Sequence, residues 1–162
     1  MNVVTIRLQR EDLDVAAEQR LIAQGRSDIG AVVTFTGICR GGEGDNAITA
    51  MTLEHYPGMA EQEIARHVEE AEQRWPLLGV TVIHRYGRLV PGENIVLVVT
   101  ASVHRGEAFA AAEFLMDFLK TRAPFWKLEE KPGDKSWVAA NDLDNAAAER
   151  WRQPKRRSDA AE

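Results

Sequence analysis

The run IVLVVTASV, residues 95–103, restricts the possible folds of this chain more than any other stretch. A strand with one wet face alternates apolar and polar side chains, and this run does not alternate. Nor is it a membrane span, which needs roughly 18 apolar residues. It reads as a strand buried on both faces or in an interface, so protein must lie on each side of it.

The neighbouring segments supply that covering. The turn PGEN precedes the run, and a helix from about Gly106 to Thr121 follows it. Phe109, Ala112, Met116 and Leu119 make one apolar stripe on this helix, which Phe114 and Phe118 widen, so the helix is expected to be central. Pro124 ends it, because a proline ring cannot continue the hydrogen-bond ladder and pushes Ala123 out of the helical region. Upstream, strands are expected at 3–8, 30–37, 48–56 and 79–89, with a helix over 11–25. A second helix starts at Pro57 and buries Ala60, Ile64, Val68, Ala71 and Trp75 at spacings of three and four. Residues 125–130 and 136–140 read as strands on either side of the turn KPGDK. The order β-α-β-β-α-β-β-α-β-β is that of an α+β fold with mostly antiparallel strands.

With 162 residues, 44% of them hydrophobic, the chain reads as one domain over 1–149 followed by a basic C-terminal tail over 150–162. That tail holds five basic residues against two acidic ones and little to anchor it, so it is expected to fray. The net charge of −5 argues against a nucleic-acid binder. The single cysteine, Cys39, excludes an internal disulfide and a cysteine-cluster metal site. The first residues lack the basic and long apolar regions of a signal peptide. A cytoplasmic protein with no membrane span, no metal and no cofactor is expected.

Chemistry concentrates in two places. In FLKTRAPFWKLEE, residues 118–130, Pro124 forbids one continuous helix, so Lys120 hangs from the last helical turn and Lys127 from the start of a strand. Taken singly, Lys120 complements the helix dipole and Lys127 is a solvent-facing residue with its stem over Trp126. Taken together beside an apolar hinge, they suit a site where ammonium groups meet an anionic substrate. The second place is TASVHRGEAF, where His104 and Arg105 stand at a strand-to-helix junction. There the guanidinium, the imidazole and free helix N–H groups suit a phosphate, or else cap and pair locally. Arg40 opens a glycine-rich loop and is a third cation for that phosphate. The loop GGEGDN lacks the Gly-Lys-Ser/Thr ending of a phosphate loop. His55, Tyr56, His84 and Arg85 read as structural, and Cys39 as a small buried hydrophobe.

The motifs TLEHYPGM, VTVIHR, PGE, HR-x-x-AF and DFLKTRAPFWK, in this order between about Val32 and Trp151, resemble the large, catalytic subunit of molybdopterin synthase. The resemblance implies an α/β-hammerhead domain with an additional antiparallel β-sheet. It implies a homodimer within a heterotetramer, each end holding a small ubiquitin-like sulfur carrier with a C-terminal Gly-Gly thiocarboxylate. Two sulfurs would pass to cyclic pyranopterin monophosphate, forming the dithiolene of molybdopterin. Lys120 and Lys127 fall on the family's catalytic lysines, and Arg40, His104 and Arg105 on its substrate-binding residues. An activated thiocarboxylate needs no nucleophilic cysteine, so Cys39 remains structural. The rival is a non-catalytic dimeric module for an anionic ligand or a partner tail. It would tolerate arginine in place of lysine, whereas proton transfer needs a group that titrates.

Overall fold

The computed structural model describes residues 2–139 and 142–152. Its elements are β1 (Val3–Gln9), α1 (Val15–Ala23), β2 (Ala31–Ile38), β3 (Ala50–His55), α2 (Met59–Arg74), β4 (Leu77–Arg85), β5 (Gly87–Leu89), β6 (Asn94–Ser102), α3 (Arg105–Thr121), β7 (Phe125–Lys131), β8 (Asp134–Val138) and α4 (Asp142–Glu149). They form two four-stranded sheets, ordered β1-β4-β6-β2 and β5-β3-β7-β8. Only β1 and β4 pair in parallel; the other pairs are antiparallel, as the element order implies.

The strand β6 lies inside the first sheet, between β4 and β2, and is buried from Val96 to Ser102. Its alternate residues feed two separate cores, because successive side chains point to opposite faces. Val96 and Val98 pack with Ile64 and Val68 of α2 and Leu115 of α3. Leu97, Val99 and Ala101 pack with Ile22 of α1 and Leu13. The sheet is thus covered by α1 on one face and by α2 and α3 on the other, which explains an apolar run with no polar alternation. The α1 layer sits close: a Cβ on Gly79 would lie 2.7 Å from Ile22 Cγ1, so β4 has no room for a side chain there.

Local chemistry sets the element ends. The Asp14 carboxylate accepts from the Ala17 N–H at 2.9 Å, so α1 begins at Val15, four residues later than the acidic run suggests. Glu61 accepts from the Gly58 N–H at 2.8 Å and fixes the start of α2. In α2 the expected apolar face is the buried one, through Ala60, Ile64, Val68 and Ala71.

Three expectations need correction. Residues 79–89 are two strands in different sheets: the chain bends at Tyr86, and Gly87 takes φ 92°, where a Cβ would also meet the Arg10 guanidinium at 2.6 Å. On α3 the buried stripe is Ala108, Ala111, Leu115 and Phe118 with Ala112, Phe114 and Leu119, and Phe109 is exposed. The sheet favours small residues at its closest approach, where Thr100 Oγ1 donates to the Ala108 carbonyl at 2.7 Å. Finally, α4 was not anticipated, and the basic segment does not start loose. Residues 150–152 form a short 3-10 turn whose Trp151 packs edge-on against Trp75 and Phe114, at 5.6 Å from each ring. The rest of the basic segment lies outside the described residues.

Candidate active site

Pro124 separates α3 from β7, and this break aims the two lysines at one space. Lys120 stands in the last turn of α3, while Lys127 sits in β7 opposite Leu53 of β3 and Val138 of β8. Both line a cavity of about 630 Å³ between the two sheets, walled by the ends of β2 and β6, the C-terminal turn of α3, and β7 and β8. Phe35, Val96, Leu119, Phe125 and Trp137 give the apolar part of its wall. Gly37 in this wall has no room for a side chain, as a Cβ there would lie 2.7 Å from Val96 Cγ1.

The two ammonium groups are held differently. Lys127 Nζ lies 3.5 Å from the Glu129 carboxylate, two residues along the same strand face. Lys120 is exposed, and among the described residues no carboxylate lies within ion-pair distance of it. The cavity therefore presents one cation paired with a carboxylate and one that has no carboxylate partner among the described residues, an arrangement that attracts an anion with a flat or apolar body.

His84 faces the same cavity, which its position in mid-strand did not suggest. Its ring stacks on Phe125 at 4.1 Å and 17°, and its Nδ1 lies 2.8 Å from the Arg85 carbonyl. Burial pushes its pKa down to about 4; the Arg85 carbonyl opposes this, and Lys120 and His55 reinforce it. The ring is neutral near pH 7. A signal was present in the chain: Val80 and Val82 share a strand face with His84, so that face is apolar and inward. Trp137, Val138 and Asp144 also reach the cavity, and no motif marked them.

Arg40, His104 and Arg105 do not line this cavity. Arg40 is exposed just beyond β2, in a segment where Cys39 N–H donates to the Glu93 carbonyl at 2.8 Å. His104 and Arg105 are exposed at the opposite end of α3 from Lys120. Fifteen residues of helix put Arg105 roughly 22 Å from Lys120 along the axis, at about 1.5 Å per residue. No single chain brings the five expected residues together. Beside His104 and Arg105 lie two exposed apolar residues, Val103 and Phe109.

The remaining sequence candidates are structural. Arg85 donates twice to the Arg10 carbonyl, at 3.0 and 2.7 Å, and once to that of Asn94 at 3.0 Å, tying β4 to its surroundings. His55 packs on Tyr86 at 4.6 Å, and Tyr56 meets Trp126 edge-on at 4.8 Å. Cys39 is buried with Met51, Leu53 and Leu89, and burial, followed by the charge of Glu93, raises its thiol pKa, which disfavours a thiolate. A smaller cavity of about 170 Å³, bordered by His67, Arg74 and Trp151, contains neither lysine. Among the described residues no cluster of three or more His, Cys, Asp or Glu could hold a metal, and no helix is long and apolar enough to cross a membrane.

Two sheets with a lysine-bearing apolar cleft between them define an α+β protein suited to chemistry on an anionic substrate. Residues 8–122 match the family model described as MoaE protein. The chain is 59% identical over 150 residues to the molybdopterin synthase catalytic subunit of Mesorhizobium japonicum, covering 91% of this chain and 93% of that one. Among solved structures, the molybdopterin biosynthesis MoaE protein from Burkholderia ambifaria matches with TM-score 0.78 and 46% identity, over 92% of this chain and 98% of that one. The complex of subunits 1 and 2 of molybdopterin-converting factor from Helicobacter pylori shares the fold, with TM-score 0.65 and 19% identity, over 86% and 90% of the two chains. The chain belongs to the MoaE family, the catalytic subunits of molybdopterin synthase, which are sulfurtransferases of molybdenum cofactor biosynthesis.

Proposed function

We propose that the cavity between the sheets is the sulfur-transfer centre. In it the Gly-Gly thiocarboxylates of two small ubiquitin-like carriers meet cyclic pyranopterin monophosphate in turn. Each gives up one sulfur and leaves as its carboxylate after hydrolysis, and the two C–S bonds make the dithiolene of molybdopterin. The observation that carries this reading is the convergence of Lys120 and Lys127, from different elements, on one apolar cavity. Lys120, which has no carboxylate partner among the described residues, holds the incoming thiocarboxylate and stabilises charge that develops on its acyl group. Lys127, tethered by Glu129, orients the pterin and moves protons as each C–S bond forms. A Gly-Gly tail has no side chains and suits a slot with apolar walls. The edge strand β8, with Trp137 and Val138 exposed, offers the adjoining surface for the body of the carrier.

The phosphate clamp needs a second copy of the chain. His104 and Arg105 are a helix length away from the lysines of their own chain, so a homodimer that sets the start of one α3 beside the cavity of its partner would complete the site. Apolar surface supports such pairing at both places: Val103 and Phe109 beside the cations, Phe35 and Ile38 on the edge strand β2 beside the cavity. Arg40, just past Ile38, joins the same clamp. Two such chains with a carrier at each end make the heterotetramer.

The test is direct: the protein is incubated with cyclic pyranopterin monophosphate and a thiocarboxylated carrier, and the dithiolene product is assayed. Product from the wild type and none from a carrier lacking its last two glycines is the expected result. Dithiolene formed with the truncated carrier would remove the basis for the role of Lys120.

A further inference from the structure

The imidazole of His84 has one nitrogen committed and one free. Nδ1 lies 2.8 Å from a carbonyl oxygen, which can only accept, so in the neutral ring Nδ1 carries the proton. Nε2 is therefore a lone-pair acceptor. It has no hydrogen-bond partner among the described residues, yet it is not among the buried polar atoms left unsatisfied, so it opens onto the cavity that His84 lines. Stacking on Phe125 at 4.1 Å and 17° fixes the plane of the ring, and hence the direction of that lone pair.

The charged and titratable groups that share this cavity or act on the ring come from four elements: Lys120 on α3, Lys127 on β7, Asp144 on α4 and His55 on β3. Lys127 already has Glu129 at 3.5 Å, and Asp144 is an acceptor itself. Lys120 is the donor with no carboxylate within ion-pair distance among the described residues, and it lines the same cavity as the ring. From these placements, and building on the sulfur-transfer reading of the cavity, we infer that His84 is a positioning residue: its Nε2 accepts a hydrogen bond from the Lys120 ammonium and holds that charge at the reaction centre. A flexible four-carbon side chain at a helix end needs such a tether if it is to meet an acyl group in one geometry. A neutral acceptor suits the task better than a carboxylate, because it orients the ammonium without neutralising it or repelling an incoming thiocarboxylate.

Two measurements test this separately from the overall function. In the first, nitrogen-15 histidine NMR of the protein alone near neutral pH is expected to show His84 protonated on Nδ1 only. The Nε2 signal should shift in Lys120→Met and hold in Lys127→Met. A proton on Nε2, or indifference to Lys120→Met, overturns the inference, whether or not the protein makes dithiolene. The second compares kcat in His84→Gln, His84→Asn and His84→Phe with the complete system of carrier and pterin. Gln can place an acceptor where Nε2 lies, Asn keeps only the donor to the Arg85 carbonyl, and Phe keeps only the stack. Positioning predicts that Gln retains about tenfold more kcat than Asn or Phe, with KM little changed, since a hydrogen bond to a charged group is of that order. Activity that follows the Arg85 bond instead, with Asn above Gln, means a structural role and overturns it. A wild type that makes no dithiolene refutes the function and leaves the NMR result standing.

Discussion

At the scale of residues, Lys120 in the last turn of α3 and Lys127 within β7 both line the cavity and neither belongs to a core cluster, so their loss should harm chemistry far more than folding. Lys120→Ala and Lys127→Ala are expected to lower dithiolene turnover by about a hundredfold or more, while Tm moves by no more than about 3 °C. Arginine should rescue poorly at Lys127, because a guanidinium keeps its charge but cannot pass a proton, and at Lys120, because a planar fork does not place its charge where a compact ammonium does. A steady-state assay beside a thermal melt checks both; near-normal activity in both arginine variants would reduce the lysines to simple charge. His84 adds a pH signature. Its folded pKa, about 4, lies below the ordinary 6.5, so the unfolded chain binds the extra proton first and the neutral ring favours folding above 6.5. That contribution is lost as the pH falls from 6.5 towards 4, by about 2 kcal/mol between pH 7 and pH 5. Urea unfolding at the two pH values should show a smaller drop in His84→Gln than in the wild type. The lysine pair was legible because a proline inside an amphipathic pattern is an unambiguous break. The cavity role of His84 was not, because it depends on β7 from the other sheet laying Phe125 against the ring.

At the scale of elements, the end of the described chain is held by α3. Asp117 accepts from Trp151 Nε1 at 2.6 Å and from Arg150 at 2.7 Å, and Glu113 pairs with the same guanidinium at 2.7 Å. Trp151→Ala removes two edge-on ring contacts and one charge-assisted hydrogen bond, so a loss of about 2 kcal/mol is expected from the urea midpoint. A loss below about 0.5 kcal/mol would mean the contact is a surface ornament. Composition hid this anchor, since a tryptophan among arginines reads as part of a basic run. Elements with strong periodicity were legible: α2 buries the face its spacing picks out, and β6 is the doubly covered strand its composition demands. Phe109 shows where such reading fails. Hydrophobic size placed it inside, but the approach of α3 to the sheet is set by Ala108 and Ala111, a matter of shape that a stripe of large side chains does not report.

At the scale of the whole molecule, the proposed homodimer would cover the apolar surface exposed at Phe35, Ile38, Val103 and Phe109. Sedimentation at micromolar concentration is expected to give a species of twice 18.1 kDa, and Phe109→Glu should shift it towards the monomer while the isolated fold survives. Only the 18.1 kDa species in the wild type would count against the dimer. The length of α3 was legible, since the expected helix over 106–121 already sets Lys120 at one end and His104 and Arg105 at the other; which chain supplies each residue to a site was not, because that depends on a second copy. That length has a genetic consequence. If each α3 serves its own cavity with Lys120 and a partner's cavity with His104 and Arg105, two differently inactivated genes can repair each other. Co-expressing Lys120→Ala with Arg105→Ala should let mixed pairs assemble one centre with both residues intact, whereas neither parent can assemble any. Random mixing makes half the pairs mixed, so about a quarter of the wild-type activity should return by complementation between two dead alleles.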